Sequence, residues 1–322
     1  MPASPRRLTQ RDIARMTGVS QATVSFVLNG RSDGEVRIAP ETRARVLRAI
    51  RESGYVADPI ARRLAARDNR IIGVFTYEPV FPTDNSDFYH PFLVGIEEQA
   101  ESLGSDLLLL TSAPVIDGRR RIFHDGNRLR LADGCILLGR ALDRDELTRL
   151  VADGFPFVSV GRRDDAGGPV PYVGADYQTA TAALVERAAH FGHQRTAYLG
   201  QGEGPESYAD RMAGFRRVAP RGVHATTPEQ IPADINVVFA EEHTDGVDLA
   251  ARRPGLSVVT LGEPTRAAPP SDKTFTGFQI PRQQMGREAM EVLTALLNGT
   301  PTATQRLLPC VLVEGSTLGR NE

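Results

Sequence analysis

A chain of 322 residues has room for two or three domains, and 41% apolar with 24% charged residues is the balance of a globular chain in water. No run approaches the roughly 18 apolar residues of a membrane-spanning helix, which excludes that class. The net charge of −2 hides an asymmetry: residues 1–70 hold 14 arginines against 7 acids, a balance of +7, while the rest holds 24 basic against 33 acidic residues, a balance of −9. A basic end on an acidic body points to a polyanion as the partner of that end.

The opening "MPASPRRLTQ" has two arginines but no apolar stretch behind them, so no signal peptide is read there. Four short helical signals fill the first 70 residues. Thr9 is placed to cap a helix over 9–16, with Asp12 near its positive end. "TGV" turns tightly through Gly18, and Ser20 caps a second helix, "SQATVSFVLNG". At 100° per residue, Val24, Val27 and Leu28 fall on one stripe of that helix. Ala22, Ser25, Phe26 and Asn29 fall on the other, where a surface helix should be polar. After the polar loop "GRSDGEVRI", Pro40 opens "PETRARVLRAIRES", with Val46, Leu47 and Ile50 on one face and Gly54 as its stop. "DPIARRLAA" then has Asp58 as N-cap and Pro59 at the first helical position.

From Arg70 the pattern changes. "IIGVF", "DLLLL", "GCILLG", "FPFVSV", "RTAYLG", "INVVFA" and "LSVVTLG" are short continuous apolar runs. Amphipathic helices such as "FLVGIEEQAESLG" and "TATAALVERAAHFGH" alternate with them, the sign of parallel sheets covered on both faces. The Gly/Pro-rich "GRRDDAGGPVP", 161–171, is where a second α/β lobe is expected to begin. Cys135 and Cys310 sit in apolar stretches without disulfide or metal spacing, which reads as reduced, buried thiols in a cytoplasmic protein.

Helix, glycine turn, helix within about 20 residues is the helix-turn-helix plan, whose second helix lies in the DNA major groove. That assigns Gln21, Ala22, Ser25, Phe26 and Asn29, with Ser20 and Thr23, to the DNA-facing side. Gln and Asn can bond bidentately to adenine, and Ala and Phe can meet a thymine methyl. Thr9 and Arg11 would anchor phosphates. From spacing alone, a small helical bundle without a ligand fits as well.

"LTQRDIARMTGVSQATVSFVLNG", "APETRARVLRAIRESGY" and "ARRLA" resemble the DNA-binding headpiece and hinge of the LacI/GalR family of bacterial transcription regulators. The resemblance continues in order through "FYHPFLVGIEEQAESLG", "ADGCILLG", "FPFVSVGRR", "VGADYQTA", "FGHQRTAYLG", "RMAGF", "MGREAMEVL" and "LVEGSTLGR". It implies an all-α helix-turn-helix headpiece (1–57) and a hinge helix with linker (58–69). Beyond them it implies an α/β body of two doubly wound parallel-sheet lobes, like a periplasmic binding protein with three crossovers. The N-lobe is expected over 70–161 plus 279–300 and the C-lobe over 162–278 plus 301–322. The resemblance further implies a homodimer on a pseudo-palindromic, double-stranded operator, acting as a repressor. Leu64, flanked by Ala61 and Ala65, would wedge into the minor groove. A small-molecule effector, a sugar or related metabolite, would sit between the lobes, with Tyr77, Phe88, Tyr89 and Phe92 from the first and Arg162, Asp176, Arg211 and Glu242 from the second. No cofactor, metal or membrane contact is implied.

The departures from the family pattern concern the cleft. "FAEEH" has Glu241-Glu242 where sugar-binding members often carry Asn-Asp, and "VVTLGEP" has Gly262-Glu263 where they often carry Asp-Asp. Ala209 replaces an arginine common at the start of the "RMAGF" helix. Only residues 216–235 separate "RMAGF" from "NVVFAEE", too short and Pro-rich for the usual helix, strand and helix. A trimmed second lobe with a non-standard effector, or none, is expected. Two further readings stay open: an effector-independent repressor, and a small-molecule-binding protein without DNA work. An enzyme is disfavoured, although Gly200, Gly202 and Gly204 in "YLGQGEGPESY" could cradle a phosphate. The motif lacks a full GxGxxG, and no Walker A, HExxH or GxSxG sequence occurs.

Overall fold

The computed structural model describes residues 8–29, 38–53, 55, 69–78, 86–116, 118–264 and 270–321. The chain divides into two compact units, residues 1–69 and 70–322.

In the first unit, α1 (Gln10–Thr17), α2 (Gln21–Asn29) and α3 (Pro40–Ser53) enclose a small core of Ile13, Ala14, Val24, Val27, Val46 and Tyr55. Local chemistry sets the ends of α1. Thr9 and Asp12 form a reciprocal capping box, and Gly18, at φ 65°, closes the helix in the left-handed region that favours glycine. Thr9→Ala is expected to lower headpiece stability by about 1 kcal/mol, read from the midpoint of its thermal transition.

The second unit holds two six-stranded sheets. The first runs in the order β13 (Gln305–Leu308), β7 (Tyr172–Ala175), β6 (Phe157–Val160), β5 (Gly134–Leu138), β1 (Ile71–Thr76), β2 (Asp106–Leu110). The second runs β14 (Val311–Val313), β12 (Thr276–Gln279), β11 (Ser257–Thr260), β10 (Val237–Ala240), β8 (Thr196–Leu199), β9 (Val223–Ala225). All pairings within them are parallel except β12 with β14. The chain passes between sheets three times: after β7, after β12 and between β13 and β14.

The sheets place two segments differently from the expected lobe boundaries. Strand β7 lies beyond position 162, yet pairs with β6 through Ser159↔Tyr172 and Val160↔Val173. Strand β13 lies beyond 301, yet pairs with β7. Both therefore belong to the first lobe, and the Gly/Pro-rich link at 161–171 is an internal loop of that lobe.

Helix α4 (Ser86–Leu103) and helix α9 (Arg282–Leu297) cover one face of the first sheet, and α5 (Arg144–Ala152) covers the other. In the second lobe α6 (Tyr177–His190) and α7 (Glu206–Val218) pack together on one face, while α8 (His243–Arg252) lies on the opposite one. The trimming expected in the second lobe lies between β9 and β10. A 3-10 turn, Pro228–Gln230, replaces a helix there, and Ile231 and Ile235 seal the sheet face. The equivalent crossover of the first lobe also lacks an α-helix among the described residues. Between β2 and β5, the described residues form only the hairpin β3 (Val115–Ile116) with β4 (Arg119–Arg120) and a 3-10 turn, Leu129–Leu131. Ile122 and Leu129 are buried there against Phe75, Leu137 and Phe157.

Candidate functional sites in the headpiece and the cleft

In the headpiece unit, helix α2 packs with Val24 and Val27 and turns Gln21, Ala22 and Phe26 outward, with Phe26 36% exposed. Ser20 caps the helix: its hydroxyl accepts from the Thr23 amide at 3.1 Å and lies 2.9 Å from Thr23 Oγ1. Ser25 is half-buried on the flank, and Arg11 is exposed on α1. Thr9 is exposed, with its hydroxyl engaged by Asp12 at 2.7 Å. The outward face of α2 therefore combines an amide, a methyl and an aromatic ring, with no charged residue anywhere in the helix. The side chain of Asn29, and Ala61, Leu64 and Ala65 of the expected hinge helix, lie outside the described residues.

In the body, the carboxyl ends of the parallel strands of both sheets meet at a cleft, where open α/β sheets bind ligands. Phe88, Tyr89 and Phe92 from the start of α4 form an aromatic wall, opposed by Tyr177 and Met285. Phe88 packs edge-on against Tyr89 and Phe92, and the guanidiniums of Arg140 and Arg282 lie 4.8 and 4.9 Å from its ring centre. The cavity that remains is about 70 Å³. Small-molecule pockets ordinarily span about 300–1,000 Å³.

Ion pairs bridge the two lobes beside this cavity. Arg162, after β6, donates from Nε to both carboxylate oxygens of Asp210 on α7, at 3.0 and 2.7 Å. Arg163 donates to Glu206 at 3.0 Å, and also to the carbonyls of Arg162 and Gly139 at 2.8 and 2.6 Å. Arg140, after β5, reaches Glu242 at 3.4 Å, and Glu242 also accepts from the Tyr208 hydroxyl at 2.7 Å. Burial and that bond push the Tyr208 hydroxyl up to about 12, so it remains a donor at neutral pH. Glu78 accepts from the Tyr89 hydroxyl and the Arg140 amide.

Of the expected cleft residues, Phe88, Tyr89, Phe92 and Arg162 come together around this cavity. Arg162 does so from the first lobe, because β7 follows it. Glu242 stands at the rim. Tyr77, Asp176 and Arg211 are placed elsewhere. Tyr77 follows the odd positions of β1 onto the face under α5, where it is 1% exposed and meets Phe75 edge-on. Asp176 caps α6 by accepting from the Thr179 amide. Arg211 is buried on Tyr177, 4.0 Å from its ring centre, and donates to the Leu261 and Ser207 carbonyls.

Arg140, Arg163, Glu206, Tyr208 and Asp210 were not singled out by sequence. Their local signals were the Arg-Arg pair after β6 and the acids at i and i+4 in "ESYAD", which share one face of a helix.

The glycine-rich loop after β8 is no free phosphate cradle. The Gln201 and Gly202 amides donate to the buried Glu241, which also accepts from Tyr198 at 2.6 Å. Gly200 adopts φ 149°, and a Cβ there would stand 2.4 Å from Glu241. Burial raises Glu241 above the ordinary carboxylate range. The fold therefore favours the protonated acid, and this contribution fades as pH rises past the unfolded-state value of about 4.3. Glu241→Gln, which carries no such charge, should gain thermal stability relative to the natural chain as pH is raised from 4 to 8.

Among the described residues, no His, Cys, Asp and Glu cluster is arranged to hold a metal ion, and no helix is long and apolar enough to cross a membrane.

Comparison with known proteins agrees with both units. Residues 9–58 match the family of bacterial regulatory proteins, lacI family. Residues 78–223 match periplasmic binding proteins and sugar binding domain of LacI family. The chain is 28% identical over 342 aligned residues to the HTH-type transcriptional regulator CelR of Thermobifida fusca, covering 94% of this chain and 96% of that one. It is 28% identical over 212 residues to catabolite control protein A of Priestia megaterium, covering 65% of this chain and spanning 60% of that protein's length. The fold superposes on the Lac repressor dimer bound to operator and the anti-inducer ONPF with a TM-score of 0.72, at 19% identity over 98% of this chain and all of that one. A capped helix-turn-helix unit, a two-sheet body with three crossovers and these two successive matches make the chain a member of the lacI family of bacterial regulatory proteins.

Proposed function

We propose that this chain is a sequence-specific DNA-binding transcription regulator, a repressor, that acts in the cytoplasm as a homodimer on a pseudo-palindromic operator. It carries out no catalysis. The observation that carries this reading is the outward face of α2, uncharged and headed by Gln21, Ala22 and Phe26, within the helix-turn-helix segment 9–58 that matches bacterial regulatory proteins of the lacI family. The Lac repressor dimer bound to operator, which shares the fold, supports the dimer. Thr9, Arg11 and Ser20 anchor phosphates, while Gln21, Ala22, Thr23, Ser25, Phe26 and Asn29 meet bases, and Leu64 with Ala61 and Ala65 enters the minor groove. A small molecule in the cleft, held by Phe88, Tyr89, Phe92 and Arg162, changes lobe geometry and with it operator affinity, and the coupling is reciprocal.

Selecting bound fragments from random DNA with the purified full chain tests this reading. A two-fold symmetric consensus is expected, with a gel shift at nanomolar protein. Absence of any consensus overturns it. An arginine on α2 would add bidentate guanine readout, which a phenylalanine cannot make, and such a contact is worth about 1–3 kcal/mol of discrimination. Phe26→Arg is therefore expected to keep the headpiece folded and to move the preferred operator toward guanine, by about 10- to 100-fold for the best contacted base pair. An unfolded headpiece would mean instead that Phe26 is a packing residue.

A further inference from the structure

The cleft holds its own counterions, and the two sides are not equivalent. Arg163 has a side chain 3% exposed and fixed to its own lobe by the Gly139 and Arg162 carbonyls. Among the described residues its one carboxylate within ion-pair distance is Glu206, from the other lobe. Arg162 keeps Asp164 of its own lobe and draws Asp210 from the other. A guanidinium stays charged at any physiological pH. If a ligand parts the lobes, both arginines lose a counterion while still walled by Phe88, Phe92 and Val160.

The carboxylates tolerate separation better. Glu206 lies in the first turn of α7, where the helix dipole favours negative charge, and Asp210 follows one turn later. Opening the cleft exposes both to water. A neutral polyol entering here would leave the arginines uncompensated, whereas an anion would restore their pairing.

We propose that the effector of this cleft is a small anion, bearing carboxylate or phosphate groups, which takes Arg162 and Arg163 in place of Asp210 and Glu206. This rests on the regulator reading and names the class of its ligand. Asp210 and Glu206 are then internal competitors, and they hold the unliganded lobes together.

The test compares the full chain with its Glu206→Gln, Asp210→Asn double variant by calorimetric titration with citrate, inorganic phosphate and glucose. The double variant should bind citrate at least tenfold more tightly than the natural chain does, neither should bind glucose, and adding Arg163→Gln should abolish citrate binding. Equal citrate affinity in the two chains, binding that survives Arg163→Gln, or tighter binding of glucose overturns the proposal. If the double variant does not fold, thermal midpoints of the natural chain and Arg163→Gln decide. A rise in citrate over sodium chloride of equal ionic strength, lost in Arg163→Gln, supports the anion site, and equal midpoints overturn it. Operator gel shifts run without any added anion report on the regulator reading separately. Intact DNA binding with no anion binding removes only this inference.

Discussion

Gly286→Val is expected to destabilise the body strongly while leaving the headpiece transition in place. Helices α4 and α9 cross with their backbones in contact, at two glycines facing each other's chain. A Cβ on Gly286 would lie 2.2 Å from the Phe92 carbonyl oxygen and 3.1 Å from the Ile96 amide. A Cβ on Gly95 would lie 1.9 Å from the Gln283 carbonyl oxygen. These neighbours are backbone atoms inside helices, so no rotamer change relieves the overlap. The helices would have to separate, and Phe92, Ile96, Met285, Ala289 and Met290 between them would lose packing. Overpacking a core costs about 1–3 kcal/mol, which is the range expected for Gly286→Ala. Valine adds two more methyl groups at the same crossing and should exceed about 3 kcal/mol, a large share of a domain's total stability. Urea unfolding followed by near-ultraviolet circular dichroism would show it as a lowered midpoint of the body transition. A natural midpoint for Gly286→Val would mean that the helices do not cross in contact.

That crossing also shapes the cleft, because α4 begins with Phe88, Tyr89 and Phe92, and α9 begins with Arg282 and Met285. A milder spreading, as in Gly286→Ala, should therefore disturb the cleft wall before it unfolds the lobe.

How much of this was legible in the sequence depended on how far apart the deciding residues lie. The headpiece follows from neighbours: Thr9 with Asp12, the left-handed Gly18, Ser20 with Thr23, and the Val24–Val27 stripe all act within one helical turn. The strands of the body were readable for a related reason, since both faces of a parallel sheet are buried and each strand becomes a short apolar run. Sheet membership was not readable. "PYVGA" carries no mark that it pairs with β6 rather than opening the next lobe, because the pairing is decided by partners across a loop. The missing helix of the first-lobe crossover is hard to read for the opposite reason. "APVIDGRRRIFHDGNRLRL" is nearly as long as a helical crossover, and only its glycines and its lack of helical periodicity betray the hairpin. Glu241 and Glu242 were visible as departures from the family pattern, but sequence could not separate them. One is buried to hold the glycine loop, and the other stands at the cleft rim.

Arg163→Ala is expected to destabilise the body by about 3–5 kcal/mol, the range for breaking a buried charge pair from one side. The guanidinium satisfies three acceptors at once, the Gly139 and Arg162 carbonyls and the Glu206 carboxylate, and deleting it strands all three. Burial alone disfavours the charged arginine, and Glu206 is what offsets that penalty. Arg163→Lys should fall between alanine and the natural residue, because a single ammonium cannot reach three acceptors arranged around a planar fork. Glu206→Gln should cost a similar amount, since glutamine can still accept from the guanidinium but leaves that buried charge without a counterion. The pair spans the lobes, so its two single variants should not add. A double-mutant cycle on the full chain, measured by urea unfolding, is expected to give a coupling of about 1–3 kcal/mol between Arg163 and Glu206. The same cycle between Arg163 and Asp234, whose partner Arg195 lies in the second lobe, should give a value near zero. Coupling below about 0.5 kcal/mol for the first pair would mean that the lobes do not depend on it. The body would then stay closed through its aromatic wall, and any ligand of the cleft would enter without displacing a charge.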